Sequence, residues 1–257
     1  MAGIKFLTYN VWSCEHVAVY RRIRAICEII ERHDPDVIFL QLSKLNARKE
    51  LLPEYSHSWA VGSPSPPHSP RAGKIPSDLL SARVYETHHR LRAATCSLAG
   101  PNPSDIGSVH RRARAGAFLE HFDAVHQPYD RSFVLDGNVV LGGDLGWDDD
   151  LDGPLRLGNE GWVDAWRELR GGDEDIAGGW TYDALANPML RGLNLPAERR
   201  RPDRFICKLS DFKLGSIEMV GVEPILGVTR FDDKGNVLPV LPSHHFGLLL
   251  TISPKHG

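Results

Sequence analysis

The stretch IKFLTYNVWSCEHVAVYRRIRAICEIIERHDPDVIFLQ, residues 4–41, decides the fold class. Its opening, IKFLTYNVW (4–12), sets Ile4, Phe6 and Tyr9 among short polar interruptions, the alternation of a strand. From about Val19 to Arg32, Ile23, Ile26 and Ile30 recur at helical spacing, and Arg21, Arg22, Arg24, Glu28 and Glu31 fall to the other face. Asp34-Pro35 ends that helix, because proline disfavours helical backbone in the residue before it. VIFLQ (37–41) follows as a buried strand. Strand, amphipathic helix and apolar strand in succession predict an α/β layered fold.

Working outward, a helix is expected around Arg111 to Val125, and NVVLGGD (138–144) reads as a strand ending in a turn. GWVDAWREL (161–169) has the pattern of a short amphipathic helix, and GGWTYD (178–183) of a loop or strand start. DRFICKL (203–209), IEMVGVEPI (217–225) and HFGLLLTI (245–252) are further strand candidates. Residues 42–90 lack a regular period, and GSPSPPHSPRAGKIPS (62–77) reads as a proline-rich loop. With no internal repeat or heptad pattern, residues 1–257 are expected to form one domain around that loop.

Apolar residues make up 42% of the chain and charged residues 25%, the proportions of a globular protein. A net charge of −3 makes no case for a globally basic nucleic-acid binder. Cys14, Cys27, Cys96 and Cys207 are scattered singly, without zinc-site spacing, as expected of reduced thiols inside a cell. The N-terminal residues lack a signal-peptide pattern, and no apolar run approaches the ~18 residues of a membrane span.

Polar residues stand where strands end: Asn10, Gln41, Asp144, Asp203 and His245. Loops at strand ends carry chemistry because the sheet holds them rigidly. Taken singly, each is more often a turn residue or a hydrogen-bonded structural group. Asp148-x-Asp150-x-Asp152-Gly153 opens like a calcium loop but has Asn159 at the twelfth position, so a solvated turn is the better reading. The basic run ERRRPDR (198–204) offers Arg200 and Arg204 as phosphate contacts or is simply a solvated basic loop, and Trp180 and Tyr182 could stack on an unpaired base, although burial is the commoner role of aromatics at a strand start.

In their order, LTYNVW (7–12), HDPDVIFLQ (33–41), GGDLGWDDDLDGP (142–154), GWTYD (179–183), PDRFICKL (202–209) and LPVLPSHHFGLLLTI (238–252) resemble the endonuclease/exonuclease/phosphatase superfamily. Within it they are most similar to the plant tyrosyl-DNA phosphodiesterase 2 branch. Abasic-site endonucleases and deadenylases fit less well, because GWTYD and PDRFICKL point elsewhere. The resemblance implies two β-sheets packed face to face between helices, and Mg²⁺-dependent hydrolysis of the bond between a DNA 5′ phosphate and a topoisomerase tyrosine. It also implies DNA 5′ ends as partner and a nuclear or cytoplasmic location.

Carried over by position, Asn10, Asp144 and His245 match the family's catalytic residues. Four positions depart from its pattern: Leu42 replaces the metal-binding glutamate, Ser97 a histidine, Gly146 an asparagine and His244 an aspartate. His244 is therefore expected to leave His245 without its orienting carboxylate, a damaged dyad. Leu42-Ser43-Lys44-Leu45 follows Gln41 where the resembled family has a longer segment, so strands of the first sheet read as skipped and that sheet is expected to be incomplete. With its metal ligands unassigned, the chain is expected to have weak catalysis or none, or to be a binding pseudoenzyme or an unstable splice product.

Overall fold

The computed structural model describes residues 3–12, 14–42, 79–86, 89–98, 105–124, 137–157, 161–171, 178–192 and 198–255. The proline-rich loop at 62–77 lies outside them. Four α-helices are present among these residues, α1 (Val19–His33), α2 (Asp105–Ala124), α3 (Asp149–Asp152) and α4 (Ala165–Arg170), with one 3-10 turn at Pro188–Leu190. Sheet I has the order β10 (Phe212–Val220), β13 (Gly247–Pro254), β1 (Ile4–Val11), β2 (Val37–Leu42). Sheet II has the order β3 (Leu79–Glu86), β4 (His89–Ser97), β5 (Asn138–Asp144), β9 (Asp203–Leu209), β6 (Trp162–Asp164). Two small ribbons, β7 (Tyr182–Asp183) with β8 (Arg199–Arg200) and β11 (Thr229–Phe231) with β12 (Val237–Pro239), complete the described strands.

The period of two in each strand builds the layers. On β1, Leu7, Tyr9 and Val11 pack with Ile26, Ile29 and Ile30 of α1, while Phe6 faces the seam between the sheets. On β5, Val140 faces the seam, while Val139 and Leu141 pack with Ala115, Phe118, Leu119 and Phe122 of α2. The result is four layers, α1, sheet I, sheet II and α2. Phe6 and Phe39 of sheet I and Phe205 of sheet II meet in the seam with ring centroids 6.4–6.5 Å apart.

Glycine lets the strands close this tightly. A Cβ on Gly142 would lie 2.5 Å from the Phe205 ring, and one on Gly143 would lie 2.2 Å from the Cys96 carbonyl of the neighbouring strand. A ring can tilt, but a paired backbone cannot withdraw without opening its ladder. Gly143→Ala is therefore expected to cost more than Gly142→Ala, which itself costs about 1–3 kcal/mol as an overpacked site; urea midpoints of the two variants test the order.

Several expectations change in the fold. Arg22 does not join the solvated face of α1: it is 1% exposed and donates to the carbonyls of Val17, Trp12 and Cys14. GWVDAWREL divides into strand β6 and helix α4, with Asp164 capping the helix through the amides of Trp166 and Arg167. The strand predicted at 217–225 instead runs Phe212–Val220, and α2 begins at Asp105, before Arg111. Within the irregular stretch 42–90, Leu79–Glu86 pairs with His89–Ser97 as a hairpin. The 148–153 turn is solvated only in part: Asp150 and Leu151 are exposed, whereas Asp148 caps α3 and Asp152 is held by a two-pronged pair with Arg111. Among the described residues, sheet I ends at β2.

Candidate active site

The alternation that buries the seam also delivers the polar residues to one end of it. Phe6, Thr8 and Asn10 share a face of β1; Val140, Gly142 and Asp144 share one of β5; Cys207, Phe205 and Asp203 share one of β9. Asp144 and Asp203 are directly opposite in the antiparallel β5–β9 pair. Asn10 Nδ2 crosses from sheet I to donate to Asp144 Oδ2 at 2.7 Å. The Gly146 amide donates to Asp144 Oδ1 at 2.7 Å, and the φ of 55° at Gly146 folds the chain back for that contact.

His245 enters from the loop before β13 and is 5% exposed. Its Nδ1 lies 2.7 Å from Asp203 Oδ2, which also accepts from Thr181 Oγ at 2.5 Å. Ser243 fastens this loop to β1: its hydroxyl donates to the Asn10 carbonyl at 2.7 Å and accepts from the Trp12 amide at 3.0 Å. Asn187 Nδ2 donates to the Ser243 carbonyl at 3.1 Å. Both halves of the site are thus fixed by hydrogen bonds between segments far apart in sequence.

The dyad is therefore not damaged as the sequence pattern suggested. Asp203 orients His245, and His244 has a different place. His244 tilts toward the Trp12 ring at 5.4 Å and toward the His245 ring at 4.4 Å. Burial, then His245 and Arg22, push its pKa down to about 2, so it is a neutral ring. For His245, burial opposes the imidazolium, but the Asp203 carboxylate, its hydrogen bond and Asp144 outweigh it and raise the pKa. The Asp144 carboxyl is raised by burial and then by Asp203, against the pull of His245, Gly146 and Asn10.

The expected DNA contacts fare differently. Arg204 is 1% exposed and bound to Asp164 at 3.1 Å and Asp149 at 2.8 Å, so it cannot reach a phosphate. It points to the opposite face of β9 from Asp203, as the strand alternation requires. Arg200 pairs with Glu198 at 3.2 Å and lies 4.5 Å over the Tyr182 ring. Tyr182 is buried and meets His245 edge-on at 5.3 Å, so it walls the site instead of offering an open stacking face. Leu42 is paired in register with Val11, and Ser97, which is exposed, with Asp144. Asp203 and Thr181 lie in PDRFICKL and GWTYD; the signal for Asp203 was its position at a strand end, but nothing local paired it with His245.

Asp144, Asp203 and His245 offer ligand atoms within 4.8 Å of one another, a group that could hold a metal ion. They do not fit a hydrated magnesium ion, which takes near-octahedral oxygen ligands and keeps several waters. Both oxygens of Asp144 accept hydrogen bonds from protein, and Asp203 Oδ1, which has no partner, is buried from solvent. Leu42 and His244 supply no side-chain oxygen.

Two β-sheets face to face, with a His–Asp and an Asn–Asp pair at one end of the seam, are the fold and candidate site of a phosphodiesterase/nuclease-family protein. The Endonuclease/Exonuclease/phosphatase family matches residues 7–226, and the chain belongs to that family, whose members are generally metal-dependent. Solved structures share the fold. TDP2 of D. rerio, complexed with single strand DNA product, has 18% identity and a TM-score of 0.65, over 98% of this chain and 100% of that one. Truncated TDP2 of Caenorhabditis elegans has 18% identity and a TM-score of 0.67, over 97% of each chain. A beta toxin of Staphylococcus aureus has 15% identity and a TM-score of 0.66, over 96% of this chain and 99% of that one. No curated protein matches in sequence. Among the described residues, no helix is long and apolar enough to cross a membrane.

Proposed function

We propose that the chain is a slow phosphodiesterase of DNA 5′ ends that releases tyrosine from 5′-phosphotyrosyl DNA. The observation that carries this reading is the pair of fixed couples, Asn10–Asp144 and Asp203–His245, at one end of the seam. The structure of D. rerio TDP2 with single strand DNA product supports DNA as the polymer.

The chemistry these residues supply is in-line displacement at phosphorus. Asp144 takes a proton from water as its oxygen bonds to phosphorus, and Asn10 holds the carboxylate that receives it. The bond from phosphorus to the tyrosine oxygen breaks opposite. Phenol has a pKa near 10, so phenolate leaves without an acid and is protonated by solvent. His245, oriented by Asp203, meets the charge that grows on the non-bridging oxygens. The Mg²⁺ that the resemblance implies would supply charge neutralisation that these residues, which do not fit it, must do without. Loss of one such electrostatic group costs about 10²- to 10³-fold, which is why the rate is expected to be low.

Tyrosine release from a 5′-phosphotyrosyl oligonucleotide tests this, with Asp144→Ala as the inactive control. Release that persists in the control would remove Asp144 from the mechanism. No release from cooperatively folded protein would favour the second reading, a protein that binds DNA ends without turnover, for which the departures at Leu42, Gly146 and His244 argue.

The pH dependence has a definite sign. Asp144 must be ionised, and its raised pKa places the rising limb above the ordinary carboxylate value of 3.8. His245 must be protonated, and its raised pKa places the falling limb above the ordinary imidazole value of 6.5. A bell displaced upward on both sides is expected, with the limbs belonging to the coupled group as a whole. A rate still rising at the alkaline end would show that His245 acts unprotonated.

A further inference from the structure

We infer that this site holds a DNA 5′ phosphate without a divalent cation, the phosphate charge being met by fixed cations of the protein. This rests on the reading of the site as one for phosphate. The oxygen ligands argue first. A hard cation needs accessible carboxylate oxygen, and here Asp144 is 8% exposed and Asp203 1%. His244, where the family pattern has a carboxylate, is an imidazole packed toward Trp12.

The second observation is a buried cation behind that ring. Arg22 is 1% exposed, and its three hydrogen bonds all go to backbone carbonyls, those of Val17, Trp12 and Cys14. Its guanidinium lies 5.0 Å over the Trp12 ring, and His244 follows at 5.4 Å from Trp12 and 4.4 Å from His245. Charges shielded from water are screened far less than exposed ones. Arg22 therefore adds fixed positive charge on the His244 side of the site, which disfavours a second cation there and partly offsets the carboxylates of Asp144 and Asp203. Together with His245 it replaces, in place, part of what a metal ion would contribute.

The test uses the whole chain and two readouts. Mn²⁺ titration followed by electron paramagnetic resonance measures ion binding directly. Anisotropy of a labelled 5′-phosphorylated single-stranded oligonucleotide, at constant ionic strength, measures DNA binding in EDTA and in Mg²⁺. No site-bound Mn²⁺, and affinities in EDTA and Mg²⁺ that agree to within about twofold, are expected. One bound equivalent of Mn²⁺ that disappears in His245→Gln or Asp144→Asn overturns the inference. So does an affinity that EDTA lowers by about tenfold, roughly 1.4 kcal/mol, and Mg²⁺ restores. If the oligonucleotide binds in neither buffer, the DNA reading fails, and the Mn²⁺ result alone still decides whether the site takes a cation. Restoring an oxygen ligand with His244→Asp is expected to create a Mn²⁺ site; an unchanged spectrum in that folded variant would remove the ligand argument.

Discussion

Asp203→Asn is expected to lower tyrosine release by about 10²- to 10⁴-fold, the range for losing a positioned acid–base group. The carboxylate holds the His245 ring through a 2.7 Å contact and is held in turn by Thr181 at 2.5 Å. An amide can still accept from Thr181, so the loop keeps its shape. With its oxygen in the place of Oδ2, which serves both Thr181 and His245, it brings no negative charge to the imidazolium. Asn at this position therefore separates charge from packing. The falling limb of the pH–rate profile should move down toward the ordinary imidazole range, because Asp203 is the main influence raising His245 against burial. A rate within a few fold of the parent and an unmoved alkaline limb would show that Asp203 only supports the loop.

Arg204→Met should have the largest effect on stability, about 3–5 kcal/mol, the range for breaking a buried ion pair from one side. Arg204 is 1% exposed and donates to Asp164, Asp149 and the Arg201 carbonyl. Methionine fills much of the volume but leaves Asp164 buried with Arg201 alone, at 3.0 Å. Burial already pushes the Asp164 carboxyl toward its neutral form, and Arg204 and then Arg201 hold it below the usual carboxylate range. The sign for pH follows. A depressed folded pKa stabilises above the unfolded value of 3.8 and loses that contribution as pH falls through the folded value. The gap between parent and Arg204→Met, measured by urea unfolding, should therefore narrow at acid pH. A midpoint shift worth under about 1 kcal/mol, the scale of an exposed pair, would mean that Asp164 is solvated when Arg204 is gone.

Much of the fold was legible because its signals are local. Alternation in IKFLTYNVW, the helical spacing of Ile23, Ile26 and Ile30, and the apolar VIFLQ each report a periodicity within one segment. DRFICKL formed a strand at Asp203–Leu209 as read. The hairpin of Leu79–Glu86 with His89–Ser97 escaped because its flanking stretch has no clean period, and its pairing supplies what the pattern lacks. Arg22 went to the solvated face on charge alone, since nothing local shows that three carbonyls of the loop before its helix will surround it.

For the site, the sequence by itself determined the strand-end residues Asn10, Asp144 and His245 and the missing side-chain oxygen at Leu42 and His244. The tertiary structure decided the partners: Asn10 with Asp144, 134 residues away, and Asp203 with His245, 42 residues away. It also decided that Arg204, one residue from Asp203, turns into an ion-pair network and not toward DNA. The physical reason is that strand alternation fixes which way a side chain faces, whereas only the packing of two sheets fixes what stands opposite it.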